Sequence, residues 1–500
     1  MAGTAGHRGL ITLSIMLATI MQALDTTIAN VALPHMQGSV AATQDQISWV
    51  LTSYIVAAAI MTPAVGFLAA RMGRRRLFLV SVAGFTVVSM LCGIATSLGE
   101  LVLFRLLQGV FGAALVPLSQ SVLLDTYPRE QHGSAMAMWG VGVMVGPILG
   151  PTLGGWLTEY YSWRWVFYIN LPFGVLAFLG VMAFVRETEP TRRPFDLFGF
   201  VLLSVAIGAL QLMLDRGQQQ DWLQSPEIWI ELIACGLGLY LFVVHMTTTE
   251  HPYLPPRLFT DRNFVTGLVM IFVIGIILLA TMALLPPYLQ GLMGYPVLKT
   301  GYVLAPRGIG TMVSMFLVGR LMRRVDPRLL IFTGMVLTAL SLWQMAQFTM
   351  DVPVRAIVVS GVVQGLGLGL IFVPLSTLTF ATLPGEYRTD ATGLFSLLRN
   401  LGSSIGISLV VTLLAQNTQA NHAILAEHID PLSPLLRAPL LPPQWSPDTA
   451  AGLAMLDREV TRQAELLAYL YDFRLMMVIV LAAIPLLLLL RRPRRAARPA

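Results

Sequence analysis

Arg105 to Glu130 reads RLLQGVFGAALVPLSQSVLLDTYPRE, and Gly361 to Arg388 reads GVVQGLGLGLIFVPLSTLTFATLPGEYR. Gln108-Gly109 matches Gln364-Gly365, and Val116-Pro117-Leu118-Ser119 matches Val373-Pro374-Leu375-Ser376. Both copies sit in apolar stretches long enough to cross a bilayer as a helix. Twelve further runs of that length flank them, at about 10 to 33, 47 to 69, 77 to 97, 133 to 157, 164 to 185, 196 to 214, 227 to 246, 263 to 285, 300 to 319, 329 to 347, 391 to 414 and 473 to 490. With the repeats at about 101 to 124 and 354 to 379, the count is fourteen. Eight helices separate the start of one copy from the start of the other, an even number, so the copies run in the same direction, as in two parallel halves of a secondary transporter.

Composition sets the same limit. A 56% hydrophobic share of 500 residues, at roughly 20 per crossing, allows about 14 helices. Only 12% of residues are charged, against roughly 25% in soluble domains, which excludes a soluble enzyme. The expected class is an all-α polytopic membrane protein. Residues 1–185 would form a six-helix bundle, 186–262 two linking helices, and 263–500 a second six-helix bundle with an outward loop at about 415–472.

Placing the N-terminus inside puts most of the 32 cations in inward connections. These include Arg71, Arg74, Arg75 and Arg76, then Arg320, Arg323, Arg324 and Arg328, and the C-terminal arginines from Arg491. The positive-inside rule then places both termini in the cytoplasm, and the net charge of +6 requires no nucleic acid. Anionic lipid is a suitable partner for the C-terminal cluster. Cys92 and Cys235 lie in apolar runs and read as packing residues.

Few charges fall inside the spans. Asp25, in LDTTIANVALP from Leu24 to Pro34, lies about 15 residues from the inner end of the first helix, well within the hydrocarbon. Acids at that depth face interior cavities and serve ion or proton pathways, or are held by hydroxyls such as Thr26 and Thr27. Arg105 lies at a comparable depth in the fourth helix and either joins Asp25 or extends to the outer interface. Arg307 and Arg399 are the other cations within spans, and Arg399 with Asn400 either lines a cavity or meets helix-end carbonyls. Asn30 and Gln108 are further polar candidates for a cavity, and Met21, Trp49, Tyr54 and Trp139 for an adaptable apolar pocket.

In the fifth helix Gly142, Gly146, Gly150 and Gly154 form one stripe, with Pro147 and Pro151 beside it and Gly155 following. Glycines at this spacing admit a close neighbour and the prolines favour bending. Between the second and third helices, GFLAARMGRRRL from Gly66 to Leu77 frames a short turn with glycine and arginine. HExxH, Cys-x-x-Cys, P-loop and nucleophile-elbow motifs are absent, so neither an enzyme nor a metal or cofactor site is expected. The stretch from Met455 to Phe473 has an amphipathic face of Leu456, Val460, Ala464, Leu467 and Leu470, suited to lie on the membrane, cover the bundle or dock a partner.

Together these segments resemble the major facilitator superfamily, and within it the 14-helix drug:proton antiporters of EmrB type. LDTTIANVALP resembles that family's first-helix signature. Gly66, Leu68, Arg71, Gly73, Arg74 and Arg75 match its loop signature, with Ala70 where an acid is expected. Arg105, Gln108 and Gly109 match the fourth-helix signature, whose arginine the family associates with proton coupling. Gly146-Pro147 to Gly154-Gly155 matches the helix-five signature of exporters. WRWVFYINLP from Trp163 and LMLDRG from Leu212 extend the likeness over nearly the whole chain.

The resemblance implies a proton-driven exporter of hydrophobic or amphipathic compounds in a bacterial inner membrane, with Asp25 and Arg105 as coupling residues. It implies an outward loop available to a periplasmic adaptor of EmrA type and an outer-membrane channel of TolC type. A proton-coupled importer, or a receptor using the outer loop, are the alternative readings.

Overall fold

The computed structural model describes residues 8–190, 194–322, 324–427, 429, 445 and 449–491. Helices dominate, and among the described residues there is no strand. The first bundle holds α1 (Arg8–Ser39), α2 (Gln44–Met61), α3 (Ala64–Met72), α4 (Arg74–Ile94), α5 (Leu98–Gly112), α6 (Leu115–Thr126), α7 (His132–Tyr160), α8 (Trp165–Tyr168) and α9 (Asn170–Phe184). Next come the linking helices α10 (Leu197–Arg216) and α11 (Pro226–Thr248), then the short α12 (Arg257–Thr260). The second bundle holds α13 (Arg262–Pro287), α14 (Val297–Leu321), α15 (Pro327–Met345), α16 (Val354–Phe380), α17 (Arg388–Glu427) and α18 (Ala450–Ala483).

Among the described residues, thirteen helical stretches are long and apolar enough to cross a membrane, and α2 with α3 forms a fourteenth bent by 60°. Proline accounts for the breaks. Pro63 separates α2 from α3, Pro117 leaves the carbonyl of Ala113 without its helical donor where α5 passes into α6, and Pro286-Pro287 precede a π-helical turn at Tyr288–Leu292. Polar caps start several spans: Thr43 and Gln46 form a reciprocal capping box on α2, and Asp196, Asp261 and Asp326 cap α10, α13 and α15.

The outward loop expected at 415–472 is largely helical. α17 continues to Glu427 and α18 begins at Ala450, so only the segment between them connects the two. The face of Leu456, Val460 and Ala464 is buried against the α17 extension, which Asn421 ties to the Ala464 carbonyl at 3.4 Å and His422 to Asp457 at 3.0 Å. At 1.5 Å per residue the 40 residues of α17 span about 60 Å, twice the hydrocarbon thickness. The last two spans therefore project beyond the bilayer as an antiparallel hairpin.

Small residues set the interhelical distances, as expected where lipid offers no hydrophobic drive to associate. Gly146 faces the Ala23 carbonyl, Gly150 faces Thr27, and Gly154 faces Ile28, all on α1. Thr27 also donates to the Gly146 carbonyl at 3.1 Å. Gly142 meets Met16 of the same helix, whereas Gly155 points into open space. α7 remains continuous through Pro147 and Pro151. Its other face closes on α14, with Gly308 against Ile148 and Gly319 against Ala137, which joins the two bundles. In the repeat, Gly365 and Gly369 approach α14 and Gly367 approaches α15, making this glycine run a packing feature.

Candidate functional site

Asp25 and Arg105 are each 1% exposed, and Arg105 Nη1 donates to Asp25 Oδ2 at 2.7 Å. The other oxygen, Oδ1, accepts from Gln108 Nε2 at 2.9 Å and from Asn170 Nδ2 at 2.8 Å. Arg105 further donates through Nε to the Val50 carbonyl at 3.1 Å and through Nη1 to Gln108 Oε1 at 2.8 Å. Its guanidinium carbon lies 4.5 Å from the centre of the Tyr54 ring and 5.7 Å from that of Phe167. Five helices, α1, α2, α5, α8 and α9, thus converge on one ion pair.

The second layer is equally tied. Asn170 Nδ2 also donates to Ser89 Oγ on α4 at 2.9 Å, and Ser89 donates to the Phe167 carbonyl at 2.9 Å. Cys92, a free and buried thiol, lies 3.7 Å from Gln108 Oε1. In so dry a setting each polar group without a partner is expensive, and the Asp25 carboxylate has both oxygens satisfied. Extension of Arg105 to the outer interface does not occur, because α2 and α8 close over it.

The structure brings Asp25, Arg105 and Gln108 together and adds Asn170 and Ser89. Within WRWVFYINLP nothing local assigns Asn170 a role. An amide in an apolar run is the available signal, but which helix it faces is not encoded locally. Asn30 lies on an exposed face of α1 outside this cluster. Arg399 is half-buried and donates to the exposed Asn400 at 3.4 Å, while Arg307 donates to the Leu278 carbonyl at 3.2 Å.

The four pocket candidates do not share a cavity. Met21 and Trp139 are fully buried, Tyr54 lies under Arg105, and Trp139 stacks on Phe372 of α16 at 5.9 Å while donating to Thr19. Trp49 instead lines a surface cavity of about 220 Å³ with Gln46, Arg216, Gln219 and Gln220.

A second cluster seals one face of the molecule. Gly73, with φ at +86°, makes the α3–α4 turn, and Arg74 N there donates to Thr188 at 2.9 Å. Arg74 pairs with Asp125 at the end of α6, and Arg388 at the start of α17 pairs with the same carboxylate. Arg75 donates to the Met182 carbonyl, Arg76 lies 3.6 Å from Glu187, and Arg71 is exposed. Ser121 and Thr389 share a hydrogen bond of 2.9 Å, and Thr392 donates to the Pro117 carbonyl at 3.1 Å. Asp390 packs directly over Gly66, where any side chain would collide with it. With Ala70 at the end of α3, the carboxylates of this seam come from Asp125 of α6, from Glu187 beyond α9 and from Asp390 of α17 in the other bundle.

A family model described as Major Facilitator Superfamily matches residues 15–407. The multidrug export protein EmrB of Haemophilus influenzae is 39% identical over 429 residues, 85% of this chain and 84% of its own. The fatty acid resistance protein FarB of Neisseria gonorrhoeae is 37% identical over 487 residues, 97% and 96% of the two chains. EmrB of Escherichia coli is 37% identical over 432 residues, 86% and 84%. Among solved structures, the human organic anion transporter MFSD10 superposes with a TM-score of 0.59 at 14% identity, over 96% of this chain and 100% of that one, a likeness of fold.

Proposed function

Because the chain belongs to the Major Facilitator Superfamily, among its EmrB-type multidrug efflux transporters, we propose that it is a proton-driven antiporter exporting hydrophobic or amphipathic compounds by alternating access. The buried Asp25–Arg105 pair carries this reading. A proton bound at Asp25 Oδ2 takes the place of the Arg105 hydrogen bond, releases the guanidinium towards Gln108 and Tyr54, and so alters how α1, α2 and α5 pack. One proton crossing 100 mV supplies about 2.3 kcal/mol, enough for roughly a fifty-fold gradient of a neutral solute.

In the proposed orientation the arginine-rich face is cytoplasmic, both termini lie there, and the protein sits in a bacterial inner membrane. The α17–α18 hairpin then projects into the periplasm. Its exposed Ile424, Leu453 and Met455 offer a surface for an adaptor of EmrA type leading to a channel of TolC type.

The test is pH-gradient-driven dye accumulation in inverted vesicles. Asp25→Asn is expected to lower it at least about tenfold, since the neutral amide removes the titrating group from the Arg105 pair; undiminished accumulation would overturn the coupling.

The Arg74–Asp125–Arg388 bridge holds the cytoplasmic face shut in this reading. Asp125 is partly exposed, so the bridge is worth about 1 kcal/mol and its removal shifts the opening equilibrium roughly five-fold. Asp125→Asn should accelerate thiol labelling of Thr392→Cys by about that factor in a chain with Cys92 and Cys235 replaced by serine. Unchanged labelling would remove the latch role.

A further inference from the structure

The second bundle repeats the scaffold of the first with different chemistry. Gln364 of α16 donates to Thr281 of α13 at 3.2 Å, and the Thr281 hydroxyl lies 3.8 Å from Met476 Sδ on α18. Thr281 stands as far along the chain from Asp25 as Gln364 does from Gln108, and Gly361 stands at the same interval from Arg105. Threonine therefore replaces the acid and glycine the cation. Gln364 Oε1, whose counterpart accepts from Arg105, has no partner among the described residues.

An acid is nevertheless present one helical turn from Met476. Asp472 of α18 is 1% exposed, and neither of its carboxylate oxygens has a hydrogen-bond partner among the described residues. Phe473 beside it packs 6.5 Å from Phe348. Tyr469, one turn back, lies 5.4 Å from Tyr288 of the π-helical turn. Tyr288 donates to the Thr349 carbonyl at 2.9 Å and interacts electrostatically with Tyr295, over whose ring Lys299 sits at 3.6 Å.

On its own helix Asp472 and Glu465 both act on Tyr469, and Tyr469 in turn meets Tyr288 of the π-helical turn, with Tyr295 and Lys299 beyond. Among the described residues, no cation from α13, α15 or α17 acts on Asp472. A carboxylate enclosed without a hydrogen-bond donor has little to stabilise its charge, which makes the site suited to binding a proton. Tyr469, Tyr288 and Tyr295 lead from it towards the face opposite the arginine-rich seam.

We propose that Asp472 is a second proton-binding site of the transport cycle, so that two protons move per exported molecule. This rests on the proton-coupled reading above. The carboxylate gains a proton from the outer side along the tyrosines; when bundle rearrangement admits water from the inner side, the O–H bond breaks, the proton passes to that water and leaves towards the cytoplasm, and the carboxylate is regenerated. Asp25 and Asp472 then load one proton in each bundle.

The experiment uses the full chain in proteoliposomes with ethidium as the probe, counting protons moved per ethidium with a pH dye at zero membrane potential. Wild type should move two and Asp472→Asn one, with Asp472→Glu restoring two. Across one pH unit the limiting ethidium ratio should fall from about 100-fold to about tenfold in Asp472→Asn. Equal counts in wild type and Asp472→Asn, or a wild-type count of one, would overturn the proposal. The wild-type count decides even if the Asn variant fails to fold. If wild type moves no ethidium, the antiport reading fails instead, and the infrared band of protonated carboxyl groups in the purified chain at pH 7 decides for Asp472. A band lost in Asp472→Asn supports the site, and its absence from wild type overturns it.

Discussion

Arg105→Ala is expected to unfold in detergent with a stability loss of about 3–5 kcal/mol, because it leaves the Asp25 carboxylate buried beside Gln108 and Asn170 with no cation. The same substitution strips the Val50 carbonyl of its side-chain donor and Tyr54 of the guanidinium over its ring. Asp25→Asn creates the converse problem, an enclosed Arg105 with a neutral neighbour. Combining the two substitutions removes both charges, so the double variant should recover part of the stability lost by Arg105→Ala. A coupling of about 1–3 kcal/mol is expected in thermal or denaturant unfolding. Transport should stay at least about tenfold below wild type in all three variants, since two of them lack the acid of the pair and Arg105→Ala leaves that acid no guanidinium to release. Additive stability losses would mean that the pair does not act as a unit.

The second large effect is steric. Gly146→Val places its first side-chain carbon 2.5 Å from the Ala23 carbonyl carbon and oxygen, both of them backbone. No rotamer relieves that contact, so α1 and α7 must separate, breaking the Thr27 hydrogen bond to the Gly146 carbonyl and tilting the helix that carries Asp25. Overpacking of this kind costs about 1–3 kcal/mol where the structure can shift, and more where backbone meets backbone. Yield of folded protein and its melting temperature should fall, with transport following. Gly155→Ala, one residue beyond the stripe and with open space around it, is the matched control and should behave as wild type. Equal behaviour of the two variants would refute the close-packed role of the stripe.

These cases mark how much the sequence discloses. A glycine stripe at spacings of four is visible in Gly142 to Gly154, and so is its capacity to admit a helix. That the admitted helix is α1 is not visible, since α1 and α7 are separated by several spans. Pro63 and Pro117 announce interruptions through a missing donor. The stretch from 415 to 472 is legible in part: the amphipathic spacing from Met455 to Phe473 announces the start of α18, whereas the continuation of α17 to Glu427 rests on the Asn421 and His422 contacts between the two helices.

The sequence by itself determined the crossings, the arginine-rich face, the internal repeat, and Asp25 and Arg105 as charges inside the membrane. All of these follow from local hydrophobicity and from the penalty on charge in hydrocarbon, which act residue by residue along the chain. Only the tertiary structure decided what those charges meet. Asn170 and Ser89 behind Asp25, Asp125 between Arg74 and Arg388, Asp390 over Gly66, and the enclosure of Asp472 each depend on how far a helix is rotated about its own axis. That rotation is set by side chains and close backbone contacts from helices distant in sequence, so no window along the chain contains it.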